Sequence, residues 1–220
     1  MLESIALILP DLQKAFFETF FMMSISVSLA ALLGIPLGLM LFTTDNSLLG
    51  ERPWINRICG FVVNVIRSTP FVILLVALIP LTSLIAGTTV GPKAATVPLT
   101  IAAIPFYARL VEASLKDVNR GVIEAALAMG SSTRQIIFKV LLVEARSGLI
   151  LGLTVTTISL LGFSAMAGIV GGGGIGDLAI RFGYYRFDNT IMFTTVVVLI
   201  VLVQLIQTAG DKLAKKLDKR

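Results

Sequence analysis

The sequence predicts an all-α integral membrane protein with five transmembrane helices, the N-terminus outside and the C-terminus in the cytoplasm. Three observations carry that expectation. Of the 220 residues, 56% are hydrophobic and 14% charged, a balance that excludes disorder and is foreign to an ordinary soluble domain. The apolar residues gather into separate runs of the roughly 20-residue length that spans a bilayer, which a soluble core does not need. The Lys and Arg residues fall unevenly between those runs. Lys14, Lys93, Arg181 and Arg186 would lie on one side and the other fourteen on the opposite one, which the positive-inside rule makes cytoplasmic. The whole chain, 1–220, reads as a single transmembrane domain with spans at about 15–42, 61–86, 94–115, 148–170 and 190–209, and a polar elbow at 117–145.

Residues 1–13 read as a short interfacial helix ending near Pro10, with Ile5, Leu7, Ile8 and Leu9 apolar and Glu3 and Asp11 polar. No basic segment precedes the first apolar run and no convincing cleavage site follows it, so that run reads as an uncleaved span. Within it Glu18 is the sole charge, and Gly34, Pro36 and Gly38 permit a bend and close packing. A polar connector with Asp45, Asn46, Glu51, Arg52 and Pro53 leads to the second span. An arginine at the bilayer centre costs about 2.5–3.5 kcal/mol, so Arg67 reads as an interfacial anchor, or as a residue facing a wet cavity. Pro70 removes a helix hydrogen bond and offers a hinge. The third span is rich in small residues and carries Pro98 and Pro105, with Arg109 near its end. The fourth is uncharged and carries Thr154, Thr156, Thr157 and Ser159, then Ser164 and Met166. Its hydroxyls have two uses open to them, a bond to the preceding turn or to a neighbouring helix. The fifth span is followed by a tail with five basic residues.

Several chemistries are excluded. The stretch 171–176, GGGGIG, contains the spacing of a nucleotide loop, but Asp177 and Leu178 stand where a phosphate loop needs Lys and Ser or Thr. A dinucleotide turn must follow a soluble strand, and here a membrane helix precedes it. The glycines read instead as a flexible turn that lets backbones approach, with Tyr184 and Tyr185 beyond it suited to an interfacial belt. Cys59 is the one cysteine, so no intrachain disulfide is possible, and there is no histidine. Ser-His and Cys-His catalysis, histidine-bearing zinc motifs and histidine proton relays all fall away. The net charge of +5 comes without aromatic-interleaved basic patches, so nucleic acid is not an expected partner. What remains is a passive half-channel in the lipid bilayer, with no catalytic residue, metal or cofactor, moved by a separate motor. The odd number of spans and the lack of an internal repeat suggest two copies about a two-fold axis.

The elbow is where a motor could engage. Residues 122–129 have the composition of a short helix, Gly130 can take the left-handed conformation that ends it, and Ser132 with Gln135 fits a capping box opening a second helix. In that second helix Ile136, Ile137, Val140 and Leu141 share one side, and Arg134, Gln135 and Lys139 the other. The residues alone leave two readings, a surface loop of two amphipathic helices or a docking knob.

Glu124-Ala125-Ala126, then Gly130, then Ile136 or Ile137 resembles the EAA signature of ABC importer permeases. The resemblance implies that the elbow is the coupling region that fits a cleft on an ATPase subunit, with Glu124, Ala125, Ala126, Met129, Gly130 and Ser131 as its docking residues. That family's motif usually ends in Leu-Pro, whereas Leu142-Val143 stands here, so the second helix is expected to run on towards Ala145. Residues 67–71 (RSTPF), 121–130 (GVIEAALAMG), 163–166 (FSAM) and the glycine turn look like those of methionine ABC importer permeases. This implies a type I importer in the bacterial cytoplasmic (inner) membrane. Its parts would be two permeases, two copies of an ABC ATPase subunit and an extracytoplasmic methionine-binding lipoprotein, with ATP hydrolysis in the separate ATPase. It also implies that Ser68, Pro70, Ser164 and Met166 line or gate the pathway, although methionine is also a common gap filler. Two alternatives stand beside it. One is a permease for another amino acid or small polar solute. The other is a stand-alone membrane enzyme or secondary carrier, against which the lack of histidine and of paired intramembrane acids weighs.

Overall fold

The computed structural model describes residues 2–45 and 48–218, with residues 2–8 as backbone alone. Asn46 of the polar connector and the tail residues Lys219 and Arg220 lie outside the described residues, as do the side chains of Glu3, Ile5, Leu7 and Ile8. The described chain is helical and no strand is found among those residues.

Helix α1 (Leu2–Asp45) runs unbroken through both Pro10 and Pro36, where the sequence reading ended an interfacial helix near Pro10. It lies along α5 (Pro92–Lys116), the most deeply enclosed of the long helices. Association of helices in lipid rests on close packing and hydrogen bonds more than on the hydrophobic effect, and both are present. A Cβ on Gly38 would stand 2.6 Å from the Val111 side chain and from the Ala108 carbonyl oxygen, so glycine is what lets the two backbones meet. Between the same helices the Ser26 hydroxyl donates to the Thr96 carbonyl at 3.5 Å, and the Thr100 hydroxyl to Ser26 Oγ at 3.3 Å. On its other side α5 meets α9 (Arg146–Ala167), where the buried Tyr107 hydroxyl donates to the Leu149 carbonyl at 3.1 Å. Leu99, Tyr107, Val111, Leu115 and Leu160 form the centre of the core.

The expected span at 61–86 is divided. Helix α2 (Pro53–Ser68) ends at Thr69, whose backbone is extended. Helix α3 (Phe71–Ala77) then leaves at 104° to it, and α4 (Ile79–Ala86) follows. The cause is local: Pro70 has no N–H to give to the ladder, and its ring pushes Thr69 out of the helical region. The Thr69 hydroxyl donates back to the Val65 carbonyl at 2.9 Å.

After α5 come α6 (Arg120–Ala128), α7 (Thr133–Gln135), a π-helical stretch (Ile136–Leu141) and α8 (Leu142–Glu144). Along α9 the hydroxyls of Thr154, Thr156 and Thr157 donate to the carbonyls four residues earlier at 2.8–2.9 Å, the preceding-turn use. The glycine stretch is partly helical: α10 (Gly174–Leu178) opens inside it and continues as a second π-helical stretch, Ala179–Tyr184. Helix α11 (Asn189–Leu217) is capped by Asp188, whose Oδ1 accepts from the N–H groups of Thr190 and Ile191 at 2.9 and 3.1 Å, and it carries most of the basic tail.

Four helices among the described residues are long and apolar enough to cross a membrane: Leu9–Asp45, Pro92–Lys116, Arg146–Val170 and Asn189–Leu217. Taken as one broken span, the bent pair Pro53–Ser68 and Phe71–Ala77 makes a fifth.

Candidate functional site

The elbow begins where α5 stops. Asn119 Oδ1 accepts from the Gly121 N–H at 2.8 Å and starts α6. One face of α6 is bound inward through Ile123 and Ala126, both in the core, while Gly121, Val122, Glu124 and Ala125 are exposed. Arg120 Nε sits 3.0 Å from Glu124 Oε1, one helical turn away. The helix ends on Gly130 at φ +77°. Gly130 N–H donates to Leu127 O at 2.9 Å and Ser131 N–H to Ala126 O at 3.0 Å, the paired bonds of a Schellman motif. A Cβ on Gly130 would meet nothing within 4 Å. Glycine is therefore required by the backbone conformation, and the space around it is open.

The chain then restarts through a reciprocal cap. The Gln135 N–H donates to Ser132 Oγ at 3.4 Å and the Ser132 N–H to Gln135 Oε1 at 2.8 Å. The following π-helical stretch places Ile136 and Leu141, five residues apart, both fully buried on the inward face. Ile137 and Val140 flank them half-buried, and Arg134, Gln135 and Lys139 are exposed. Val143, at the motif's proline position, is 44% exposed and helical. The turn into α9 comes two residues later at Ala145. Arg146 Nε then donates to the Leu217 carbonyl at 2.8 Å, tying the exit of the elbow to the end of α11.

The result is a knob pinned from beneath by Ile123, Ala126, Ile136 and Leu141. Its outward surface is made of Glu124, Ala125, Gly130 and Met129, the last 79% exposed. Of the six residues singled out in the sequence, Ser131 is half-buried and Ala126 is buried. Ala126 follows Ile123 by three residues and so shares its inward face.

The second group of predicted residues lies at the α2–α3 bend and at the end of α9. Phe71, directly after Pro70, stacks on Phe163, directly before Ser164, with ring centroids 4.7 Å apart and planes 8° off parallel. The two segments are thus neighbours. Ser68 and Pro70 are exposed and Met166 is 43% exposed. Ser164 is buried, and its hydroxyl donates to the Leu161 carbonyl of its own helix at 2.8 Å, so in this conformation its proton is turned back into α9. Arg67 lies over the Phe106 ring, 5.9 Å from the centroid.

Two polar clusters were not anticipated. At the elbow end of α5 the buried Glu112 holds Arg109 through Oε2–Nη1 at 2.7 Å and Lys116 through Oε1–Nζ at 2.9 Å. Charges at positions 109, 112 and 116 have helical i, i+3, i+7 spacing, the signal that could have found them. At the opposite end Glu18 Oε2 accepts from the Gly174 N–H at 2.8 Å and Thr19 Oγ1 from the Ile175 N–H at 2.9 Å. Nearby Asp177 meets Arg181 at 2.7 Å. Burial pushes the Asp177 carboxyl above its ordinary value and Glu18 adds to that, while Arg181 pulls it back. Among the described residues no group of three or more His, Cys, Asp or Glu could hold a metal ion.

Comparison with known proteins identifies the scaffold. Residues 30–220 match the family described as "Binding-protein-dependent transport system inner membrane component". A Vibrio cholerae protein named "Probable D-methionine transport system permease protein MetI" is 52% identical over 95% of this chain and 93% of its own length. The Bacillus subtilis "Methionine import system permease protein MetP" is 44% identical over 96% of both. A solved structure of inward-facing conformations of the MetNI methionine ABC transporter superposes with TM-score 0.94 at 42% identity, over 96% of this chain and 98% of that one. An amino acid ABC transporter crystallised with histidines shares the fold at TM-score 0.73 and 19% identity, over 96% of this chain and 94% of that one. With most of its length matched to that family, and with relatives this similar from end to end, the chain belongs to the binding-protein-dependent transport system inner membrane components.

Proposed function

We propose that this chain is the permease subunit of an ATP-driven methionine importer, the part that crosses the membrane and forms the route for the solute. The observation that carries this is the end-to-end likeness to a chain of the MetNI methionine transporter, at 42% identity and TM-score 0.94. ATP hydrolysis resides in a separate subunit, and this chain supplies the surface on which that subunit acts.

That surface is the elbow. Glu124, Ala125, Met129, Gly130 and Ser131 meet a cleft on the ATPase, and Ala126 holds them in place from the buried side. Two copies of the chain pair about a two-fold axis, and each engages one of two ATPase subunits. The chain crosses a bacterial inner membrane five times, with the α2–α3 pair as one broken span, its N-terminus outside and the elbow in the cytoplasm. The uneven distribution of Lys and Arg supports this orientation. Exposed Phe17, Phe20, Phe193 and Leu205 suit contact with lipid. The pathway lies between the two copies and is bordered by Ser68, Pro70 and Met166, with Ser164 behind them. A binding protein delivers the solute at the outer face. Closure of the ATPase pair on ATP moves the elbows and opens the pathway outward.

Uptake of labelled methionine into liposomes tests this. The liposomes hold the chain with its ATPase and binding protein, with and without ATP inside. ATP-dependent uptake that excess unlabelled methionine suppresses and other amino acids do not is the expected result. ATP-dependent uptake of a different solute would keep the architecture and discard methionine. Uptake indifferent to ATP in an intact complex would overturn the reading.

A further inference from the structure

The cluster at the end of α5 has an arrangement that packing alone does not require. Glu112 is 5% exposed, and a lone carboxylate buried to that extent would be strongly disfavoured. Its two oxygens are divided between two cations of the same helix, Arg109 at 2.7 Å and Lys116 at 2.9 Å. Each cation then reaches a different neighbour. Arg109 Nη2 donates to Asn64 Oδ1 at 2.9 Å and to the Gly60 carbonyl at 3.4 Å, both on α2. Lys116 Nζ meets Asp45 Oδ2 at 3.0 Å, at the end of α1. Glu112 therefore fixes the head groups of two long side chains that bind three helices together. Arg109 Nε is buried and has no hydrogen-bond partner among the described residues, which leaves one donor of the guanidinium open to a different set of contacts.

The position of the cluster gives this a use. Helix α5 leads within four residues into α6, the first arm of the elbow. Helix α2, which Arg109 grips at Gly60 and Asn64, ends at the Thr69–Pro70 bend. Beyond the bend Phe71 is stacked on Phe163, beside Ser164 and Met166. A rigid tie between α5 and α2 therefore connects the docking knob with the segments assigned to the pathway.

We propose that Glu112 is a positioning residue for coupling: it holds Arg109 on α2, so that displacement of the elbow is passed through α5 to α2 and on to the bend. The inference rests on the importer reading above. In the assembled complex, Glu112→Gln keeps the side-chain shape and removes the charge that orients Arg109. Asn64→Leu, at an exposed position, cuts the same tie on the α2 side and leaves the buried ion pairs intact. Asn64→Asp keeps an acceptor for Arg109.

The quantity to measure is ATP hydrolysed per solute imported, in liposomes holding the complete transporter. Glu112→Gln and Asn64→Leu should each raise it about tenfold, within the range of ordinary coupling factors, and Asn64→Asp should return it close to the wild-type ratio. A purely structural role would lower hydrolysis and uptake together through lost assembly and leave the ratio alone. If Glu112→Gln does not assemble, Asn64→Leu with its Asp counterpart decides. An unchanged ratio in Asn64→Leu overturns the inference. Absence of ATP-driven uptake in the wild-type complex would instead overturn the importer reading, so the two failures are distinguishable.

Discussion

Glu18, in the first half of α1, accepts a hydrogen bond at 2.8 Å from the backbone N–H of Gly174, 156 residues away. Its neighbour Thr19 does the same for Ile175 at 2.9 Å. Gly173 and Gly174 both have positive φ, at +77° and +85°, and a Cβ on Gly174 would come within 2.6 Å of Thr19 Oγ1. The glycines thus let the turn lie against α1 closely enough for side chains to satisfy N–H groups at the start of α10.

Glu18→Ala removes a charge-assisted bond, worth about 1.5–3 kcal/mol. Thr19→Ala leaves the Ile175 N–H buried and unpaired, at about 1–3 kcal/mol. Both should lower the thermal midpoint of the detergent-solubilised protein. The double variant should lose less than the sum, because neighbouring sites couple. Fully additive losses would show that the two bonds do not act on one shared turn.

Asp177 makes the same region sensitive to pH. Its carboxyl is raised by burial above the ordinary 3.8, against the pull of Arg181, so the folded chain holds that proton to a higher pH than the unfolded chain does. Below 3.8 the group is protonated in both folded and unfolded chains and carries no ionisation cost. As pH rises through the raised value, the folded chain must ionise a buried group and loses stability. Asp177→Asn escapes that loss. Its thermal midpoint relative to wild type should rise from acid to neutral pH. A relative midpoint that falls over that range would contradict the assigned cause.

At the elbow, Gly130 is held at φ +77° with open space around its α-carbon. An L-residue there pays about 1–2 kcal/mol for the left-handed conformation, with Asn the usual exception. Gly130→Val should therefore weaken ATPase binding and uncouple transport, and Gly130→Asn should keep most of both. Co-purification of the ATPase subunit with each variant is the check. Equal loss in both would point to a side chain excluded from the docking surface and away from backbone strain.

Much of this was legible in the sequence because it depends on local chemistry. Ser132 with Gln135 announced a capping box, Gly130 a left-handed stop, and the apolar runs their helices. Pro70 marked a weak point, but the 104° turn depends on where α2 and α3 pack, which no local pattern contains. The π-helical winding of Ile136–Leu141 was also invisible, since a period-3.6 template sorts Ile136, Ile137, Val140 and Leu141 to one side equally well. Ser164 was expected at the pathway from the likeness of 163–166 to the family's segment, and its bond to the Leu161 carbonyl is a matter of rotamer that no sequence pattern contains. Glu112 was overlooked for a different reason. Its partners Arg109 and Lys116 read as the polar end of a span, whereas the helix brings both to one side around the buried Glu112.

Met129, 79% exposed at the tip of the elbow, offers the most direct test that this knob is where the motor acts. Met129→Cys in a Cys59→Ser background can carry a photoreactive maleimide in the assembled transporter. Photolysis should transfer the label to the ATPase subunit, with a yield that changes when ATP is bound. Label confined to the permease or to lipid, in a complex shown to contain the ATPase, would contradict the assignment of the elbow.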